Sequence, residues 1–181
     1  MVDIERAVNI PGAHPAGPVY YKWLAEQAST RKMIVEIGSW TGGSARAMAD
    51  NTEGLVYCVD PLCGTPEMAR YFLGDYPEWL YDEFHKNLEG LTNIRLIREF
   101  SVDGAQKCKD LGLLFDMIFL DGSHDYESVK MDIRAWRPLL AEGGLFCGHD
   151  WGYTSVIAAV EETIGGHWLG AGVADTVWVA D

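Results

Sequence analysis

Short apolar runs recur along the chain at 33–37, 55–59, 94–98, 115–120 and 143–147, each rich in Ile, Val, Leu, Phe or Met. Runs of this length predict central strands buried on both faces. Between them the apolar period changes to that of a helix. Tyr20, Trp23 and Leu24 form a stripe over 18–30, and Val129, Ile133, Trp136 and Leu140 another, closed by Pro138 and the Gly143–Gly144 pair. Val156, Ile157, Val160 and Ile164 mark a further helix, and HWLG at 167–170 with TVWVA at 176–180 reads as a terminal hairpin. Strands and helices taking turns imply an α/β fold, a parallel sheet covered by helices on both faces.

Two segments stand outside this rhythm. A Pro- and Gly-rich stretch from Pro11 to Pro18 makes residues 1–17 an N-terminal arm or lid. Residues 61–90 are longer than a connection requires and carry Tyr71, Phe72, Tyr76, Trp79, Tyr81 and Phe84. This helical insertion either covers a substrate or packs its aromatics on the core, as Leu80, Phe84 and Leu88 on one helical face suggest.

The 181 residues, 48% apolar, suit one domain with a sizeable core. A net charge of -13 repels a phosphate backbone, so nucleic acid is not an expected partner. The start lacks the pattern of a signal peptide and no apolar run reaches the roughly 18 residues of a membrane span, so a soluble, cytoplasmic protein is expected. Cys58, Cys63, Cys108 and Cys147 form no C-x-x-C pair and read as reduced, mostly packed thiols.

The chemistry concentrates in two places. MIVEIGSWTGGSARAMADNTEGLVYCVD at 33–60 is a strand, a glycine turn, a helix and a second strand ending on Asp60, the order of a nucleotide-cofactor site. Gly38 permits a sharp turn, and Gly42 and Gly43 let a helix start approach a ligand without an intervening Cβ. Glu36 is a carboxylate inside a buried strand, where it would meet a cation or an amine. Asp60 is placed to accept from ribose hydroxyls. The second place is FDMIFLDGSHDY at 115–126 with GGLFCGHDW at 143–151, which puts Asp121, His124, His149 and Asp150 at the ends of two later strands.

EIGSWTGGS with VYCVDP, the stretch IFLDGSHDYESVKMDIRAWRPLLAEGGLFCGHDW and the terminal hairpin resemble class I S-adenosylmethionine-dependent methyltransferases. The resemblance covers about residues 18–180 and is nearest the small-molecule O-methyltransferase branch with macrocin-, catechol- and caffeoyl-CoA-type enzymes and cephalosporin hydroxylase-like proteins. It implies a Rossmann-like, doubly wound sheet of seven strands, mostly parallel with an antiparallel last strand. It implies S-adenosylmethionine as cofactor, with Glu36 and Gly38 near its methionine part, Asp60 on the ribose, Ser101 on the adenine, and Ser39, Gly42 and Asp121 as further cofactor-binding residues.

Metal-dependent members of that branch place ligands at the positions of Asp121, His149 and Asp150. They commonly carry a carboxylate where His149 stands, so an imidazole here shifts the expectation from magnesium towards manganese, iron, cobalt or zinc. The same residues could instead cap a strand end and the following helices. His124 stands where related enzymes carry a lysine that deprotonates the acceptor, which makes it a candidate general base with Asp121 as its partner in catalysis. Otherwise it is a polar helix-start residue touching only water or Asp125. His14, His85 and His167 have no such context. The expected reaction is methyl transfer to a hydroxyl of a small molecule, and a homodimer or larger homo-oligomer is an open expectation. An iron-dependent oxygenase-like enzyme and a non-catalytic cofactor-binding protein are the alternatives. A nicotinamide dehydrogenase is disfavoured because the turn reads G-x-x-x-G-G, not G-x-G-x-x-G.

Overall fold

The computed structural model describes residues 1–11, 17–63, 76–165, 168–170 and 176–180, without the side chains of 76–77 and 168–170. Its elements alternate as the apolar pattern requires: α1 (Glu5–Val8), α2 (Gly17–Ala28), β1 (Met33–Ile37), α3 (Gly43–Ala49), β2 (Leu55–Val59), α4 (Tyr76–Asn87) and β3 (Ile94–Ile97). There follow α5 (Ser101–Asp110), β4 (Phe115–Leu120), α6 (Tyr126–Trp136), a 3-10 turn (Arg137–Leu139), β5 (Leu140–Gly148), α7 (Thr154–Ile164), β6 (Trp168–Gly170) and β7 (Trp178–Ala180).

The sheet has the order β3-β2-β1-β4-β5-β7-β6. β1 to β5 are mutually parallel, and β7 runs antiparallel to both β5 and β6. Side chains are described for six of these strands, while β6 is placed by its backbone pairing with β7. The chain reverses between β1 and β4, the central pair of the sheet, so a crevice opens at their carboxyl ends.

Alternate strand residues separate into two cores. Ile34, Val56, Cys58, Met117 and Phe119 face α2, α3 and α4, while Val35, Ile37, Val59, Ile118 and Leu120 face α5, α6 and α7. Glu36, between Val35 and Ile37, therefore points to the α2–α3 side. Leu80 and Phe84 of α4, and Leu88 just past its end, are buried in the first core, so the packing reading holds for this face of the 61–90 insertion. Residues 64–75, with Tyr71 and Phe72, and most of the proline-rich arm, with His14, lie outside the described residues, as does His167.

Two boundaries differ from expectation. Leu140 belongs to β5 and not to the preceding helix, because Pro138 ends α6 in a 3-10 turn. β5 begins before Gly143, but its register against β4 jumps from Phe115–Leu140 to Met117–Leu145, with Gly143 at φ 71 inside the irregularity. The short α1 had no sequence signal of its own. Cys58, Cys108 and Cys147 are buried, free thiols, and Cys63 is exposed. No helix among the described residues is long and apolar enough to cross a membrane.

Candidate functional site

A cavity of about 360 Å³ opens at the carboxyl ends of β1, β2 and β4. Gly38, Asp60, Ser101 and Asp121 all line it; Glu36, Ser39, Gly42 and His124 do not. The glycine turn explains part of this division. Gly38 has φ 85, and a Cβ there would lie 2.2 Å from the carbonyl oxygen of Asp121, so only glycine lets the turn cross the end of β4. At Gly42 and Gly43 the space a side chain would take is filled by protein. Gly42 packs under the Leu88 side chain, and a Cβ on Gly43 would meet the Tyr21 hydroxyl at 2.6 Å. The glycines thus admit Leu88, just past α4, and Tyr21 of α2 against the start of α3.

Asp60 closes the turn. Its Oδ2 accepts the backbone N–H groups of Ser39 (2.8 Å) and Trp40 (2.9 Å), and its Oδ1 accepts from Leu62 N–H (2.7 Å). A carboxylate has about four acceptor positions, so one direction stays open to the cavity. Glu36 is fully buried between the paired residues Cys58 and Phe119. Neither of its oxygens is in hydrogen-bond geometry with a partner among the described residues. Burial pushes its pKa up to about 8, against the opposing influence of the Ser39 and Ser44 hydroxyls and with a further push from Asp121 and Asp60.

Beside the cavity, the parallel ladder brings the second constellation together. Asp121 N–H donates to Ile37 O at 2.8 Å and His149 N–H to Leu120 O at 2.9 Å, which sets the ends of β1, β4 and β5 side by side. The buried His149 has Nδ1 3.0 Å from Asp150 Oδ1 and 3.4 Å from Asp121 Oδ1. His124 Nε2 lies 2.8 Å from Asp150 Oδ2, and its ring stacks on Tyr153 at 4.9 Å. Asp150 takes a left-handed backbone, φ 62, which turns the chain so that its carboxylate meets both imidazoles. Donor atoms of Asp121, His149 and Asp150 all fall within 4.8 Å of one another and could hold a metal ion.

Electrostatics follow from these pairings. Burial alone would lower the His149 pKa, but hydrogen bonds and charge attraction from Asp121 and Asp150 raise it to about 10. The Asp150 hydrogen bond likewise raises His124, and although burial opposes ionisation of Asp150, the two imidazoles hold its carboxyl well below the usual range. Asp125 bonds Ser123 and caps α6 through Ser128 N–H, so His124 is paired with Asp150 and not with its neighbour.

Two residues escaped the sequence reading. Tyr20, taken only as part of an apolar stripe, is buried and donates its hydroxyl to Asp121 Oδ2 at 3.0 Å, with its ring 4.9 Å from that of His149. Burial and the adjacent carboxylate keep that phenol protonated. Asp132 lines the cavity from α6. An acidic residue beside Ile133, on the helix face that carries Val129 and Trp136, was the available signal for it. Nothing comparable marked Tyr20.

The methyltransferase-domain family model matches residues 35–151. No curated protein matches the sequence. Among solved structures, the O-methyltransferase from Bacillus cereus in complex with S-adenosylhomocysteine (SAH) is similar with a TM-score of 0.65 and 17% identity over 97% of this chain and 86% of that one. CalS11, a TDP-rhamnose 3'-O-methyltransferase of calicheamicin biosynthesis, is similar at 0.62 and 14% over 90% and 77%. Cofactor-bound Rv0187 from MTB is similar at 0.66 and 17% over 91% and 75%. With the family model spanning both the glycine turn and the Asp121 to Asp150 constellation, and the sheet order built around a crevice at β1 and β4, the chain belongs to the methyltransferase-domain family and is an S-adenosylmethionine-dependent methyltransferase.

Proposed function

We propose that this protein transfers the methyl group of S-adenosylmethionine to a hydroxyl oxygen of a small molecule, with a divalent cation held by Asp121, His149 and Asp150. The observation that carries this reading is the position of Asp121, which lines the cofactor cavity and is also a member of the Asp/His cluster. Cofactor and acceptor are thereby held next to each other.

The donor set fits a cation. Separations of 3.0 and 3.4 Å between His149 Nδ1 and the carboxylate oxygens are those of neighbouring ligands around an ion bonded at about 2.1 Å. One nitrogen and two carboxylates favour manganese, iron or zinc over magnesium. When bound, such an ion supplies Lewis-acid stabilisation of an acceptor alkoxide or phenolate. The cluster holds one imidazole and two carboxylates, with His124 joined to it through Asp150. This arrangement supports the transferase over the oxygenase-like alternative, which would need two imidazoles on the ion.

The rest of the work falls to this chain. Asp60 accepts from the ribose, and the Gly38 turn presses the cofactor side of the crevice onto the Asp121 backbone. Tyr20 fixes Asp121 by occupying Oδ2, which leaves Oδ1 towards His149. His124, with Nε2 engaged by Asp150, has Nδ1 available to take the acceptor hydroxyl proton. In-line attack on the sulfonium methyl then needs only alignment, because the methyl is already activated.

Calorimetric titration of SAH into metal-free protein, repeated with magnesium, manganese and ferrous iron, tests the proposal. Binding weakened about tenfold or more by Asp60→Asn, and manganese binding lost in Asp121→Ala with SAH affinity kept within a few-fold, is the expected result. Turnover that persists in chelator would sink the metal part.

A further inference from the structure

The two carboxylates of the Asp121, His149 and Asp150 cluster are held in the same way. Each turns one oxygen towards His149, with Asp121 Oδ1 at 3.4 Å and Asp150 Oδ1 at 3.0 Å from Nδ1. Each gives its other oxygen to a donor outside the cluster. Asp121 Oδ2 accepts the Tyr20 hydroxyl at 3.0 Å, and Asp150 Oδ2 lies 2.8 Å from His124 Nε2. With one oxygen of each carboxylate engaged outward, the cluster offers single ligand atoms and no chelating pair.

Tyr20 is the firmer of the two outer donors. It is 1% exposed, whereas the His124 side chain is 47% exposed. Its ring lies 5.1 Å from that of Tyr21, 6.3 Å from Phe119 and 4.9 Å from His149, on a helix that also buries Leu24, Ala25 and Ala28. Asp121 is fixed in turn by its backbone, whose N–H donates to Ile37 O at 2.8 Å and whose carbonyl oxygen abuts Gly38. Packing does not call for the Tyr20 hydroxyl, because phenylalanine would fill the same space and a buried hydroxyl is costly unless bonded. The purpose of that hydroxyl lies in the carboxylate it bonds.

We infer that Tyr20 is a positioning residue that sets which cations the cluster accepts: by holding Asp121 Oδ2 it confines that carboxylate to one-oxygen ligation and so favours a small ion such as manganese over calcium. The inference rests on the assignment of a divalent cation to Asp121, His149 and Asp150. Calcium takes about six to eight oxygen ligands at about 2.3–2.6 Å, often through both oxygens of one carboxylate. One imidazole nitrogen with two single oxygens suits instead an ion that bonds at about 2.1 Å.

The test is calorimetric titration of wild type and Tyr20→Phe with manganese and with calcium, thermal unfolding reporting whether the variant is folded. Wild type should bind manganese about a hundredfold or more tightly than calcium. In the phenylalanine variant, with Oδ2 released, that ratio should narrow by about tenfold or more. A hydroxyl that merely supported the fold would weaken both ions alike, so an unchanged ratio in a folded variant overturns the inference. A second measurement needs no variant. Pulsed electron paramagnetic resonance of manganese-loaded wild type in heavy water should count about three bound waters, the open positions of an octahedral ion held by three protein atoms. A count of about two or fewer means a chelating carboxylate and overturns the inference whether or not Tyr20→Phe folds. Failure of wild type to bind manganese overturns the cation assignment and this inference with it, whereas manganese binding with an unchanged ratio overturns the inference alone.

Discussion

At the scale of single residues, two side chains give opposite dependences on pH. As the proposed base, His124 must be neutral to accept a proton, and its pKa lies above the ordinary value of 6.5 because Asp150 bonds the ring, so kcat/KM should fall as pH drops through that raised pKa. In His124→Gln the limb should vanish with a loss of about a hundredfold in kcat; a retained limb would assign it elsewhere. Glu36 concerns stability. Its folded pKa of about 8 stands above the ordinary 4.5, so the folded state keeps a proton that the unfolded chain releases. The stability of cofactor-free protein should decline as pH rises from about 4.5 to about 8 and level off beyond, an effect on the order of a few kcal/mol. Glu36→Gln should flatten this slope in urea titrations and gain stability at pH 8 relative to pH 5. Glu36, alone in an apolar strand, was visible in the sequence; that it is closed off from the described cavity was not, since that depends on which face of the sheet it joins.

At the scale of elements, α3 and α4 are joined by one buried guanidinium. Arg46, 3% exposed, pairs Nε with Asp50 Oδ2 at 2.8 Å and gives hydrogen bonds to the carbonyls of Asn87 and Glu89 where α4 ends. Arg46→Met should keep the aliphatic packing but lose about 2 to 3 kcal/mol in chemical denaturation, since two carbonyls and a half-buried carboxylate lose a charged donor. A cost below about 0.5 kcal/mol would show that α4 docks through Leu80, Phe84 and Leu88 alone. Strand positions were legible because a strand buried on both faces must be apolar throughout, and β1, β2 and β4 match the expected ranges. The start of β5 was not, because glycines that signal a break in isolation are tolerated in a bulge held by β4.

For the whole molecule, the crevice proposed for the cofactor lies between strands that share both cores, so occupancy should stabilise the entire fold. SAH at about a hundred times its Kd should add about 2.7 kcal/mol, read as one upward shift of Tm, and an unshifted Tm would contradict the cavity assignment. Local pattern determined the α/β class, five strands, the helices between them and the identity of the titratable residues at strand ends, because each depends on periodicity or on turn chemistry within a few positions. The family resemblance grouped Asp121, His149 and Asp150, but tertiary structure alone decided how closely their side chains approach and that His124 pairs with Asp150. It also decided that Gly42 and Gly43 serve packing, and that Tyr20, 101 positions from Asp121, reaches it. Contacts between distant positions follow from strand order and register, and neither is written in the spacing of residues along one segment.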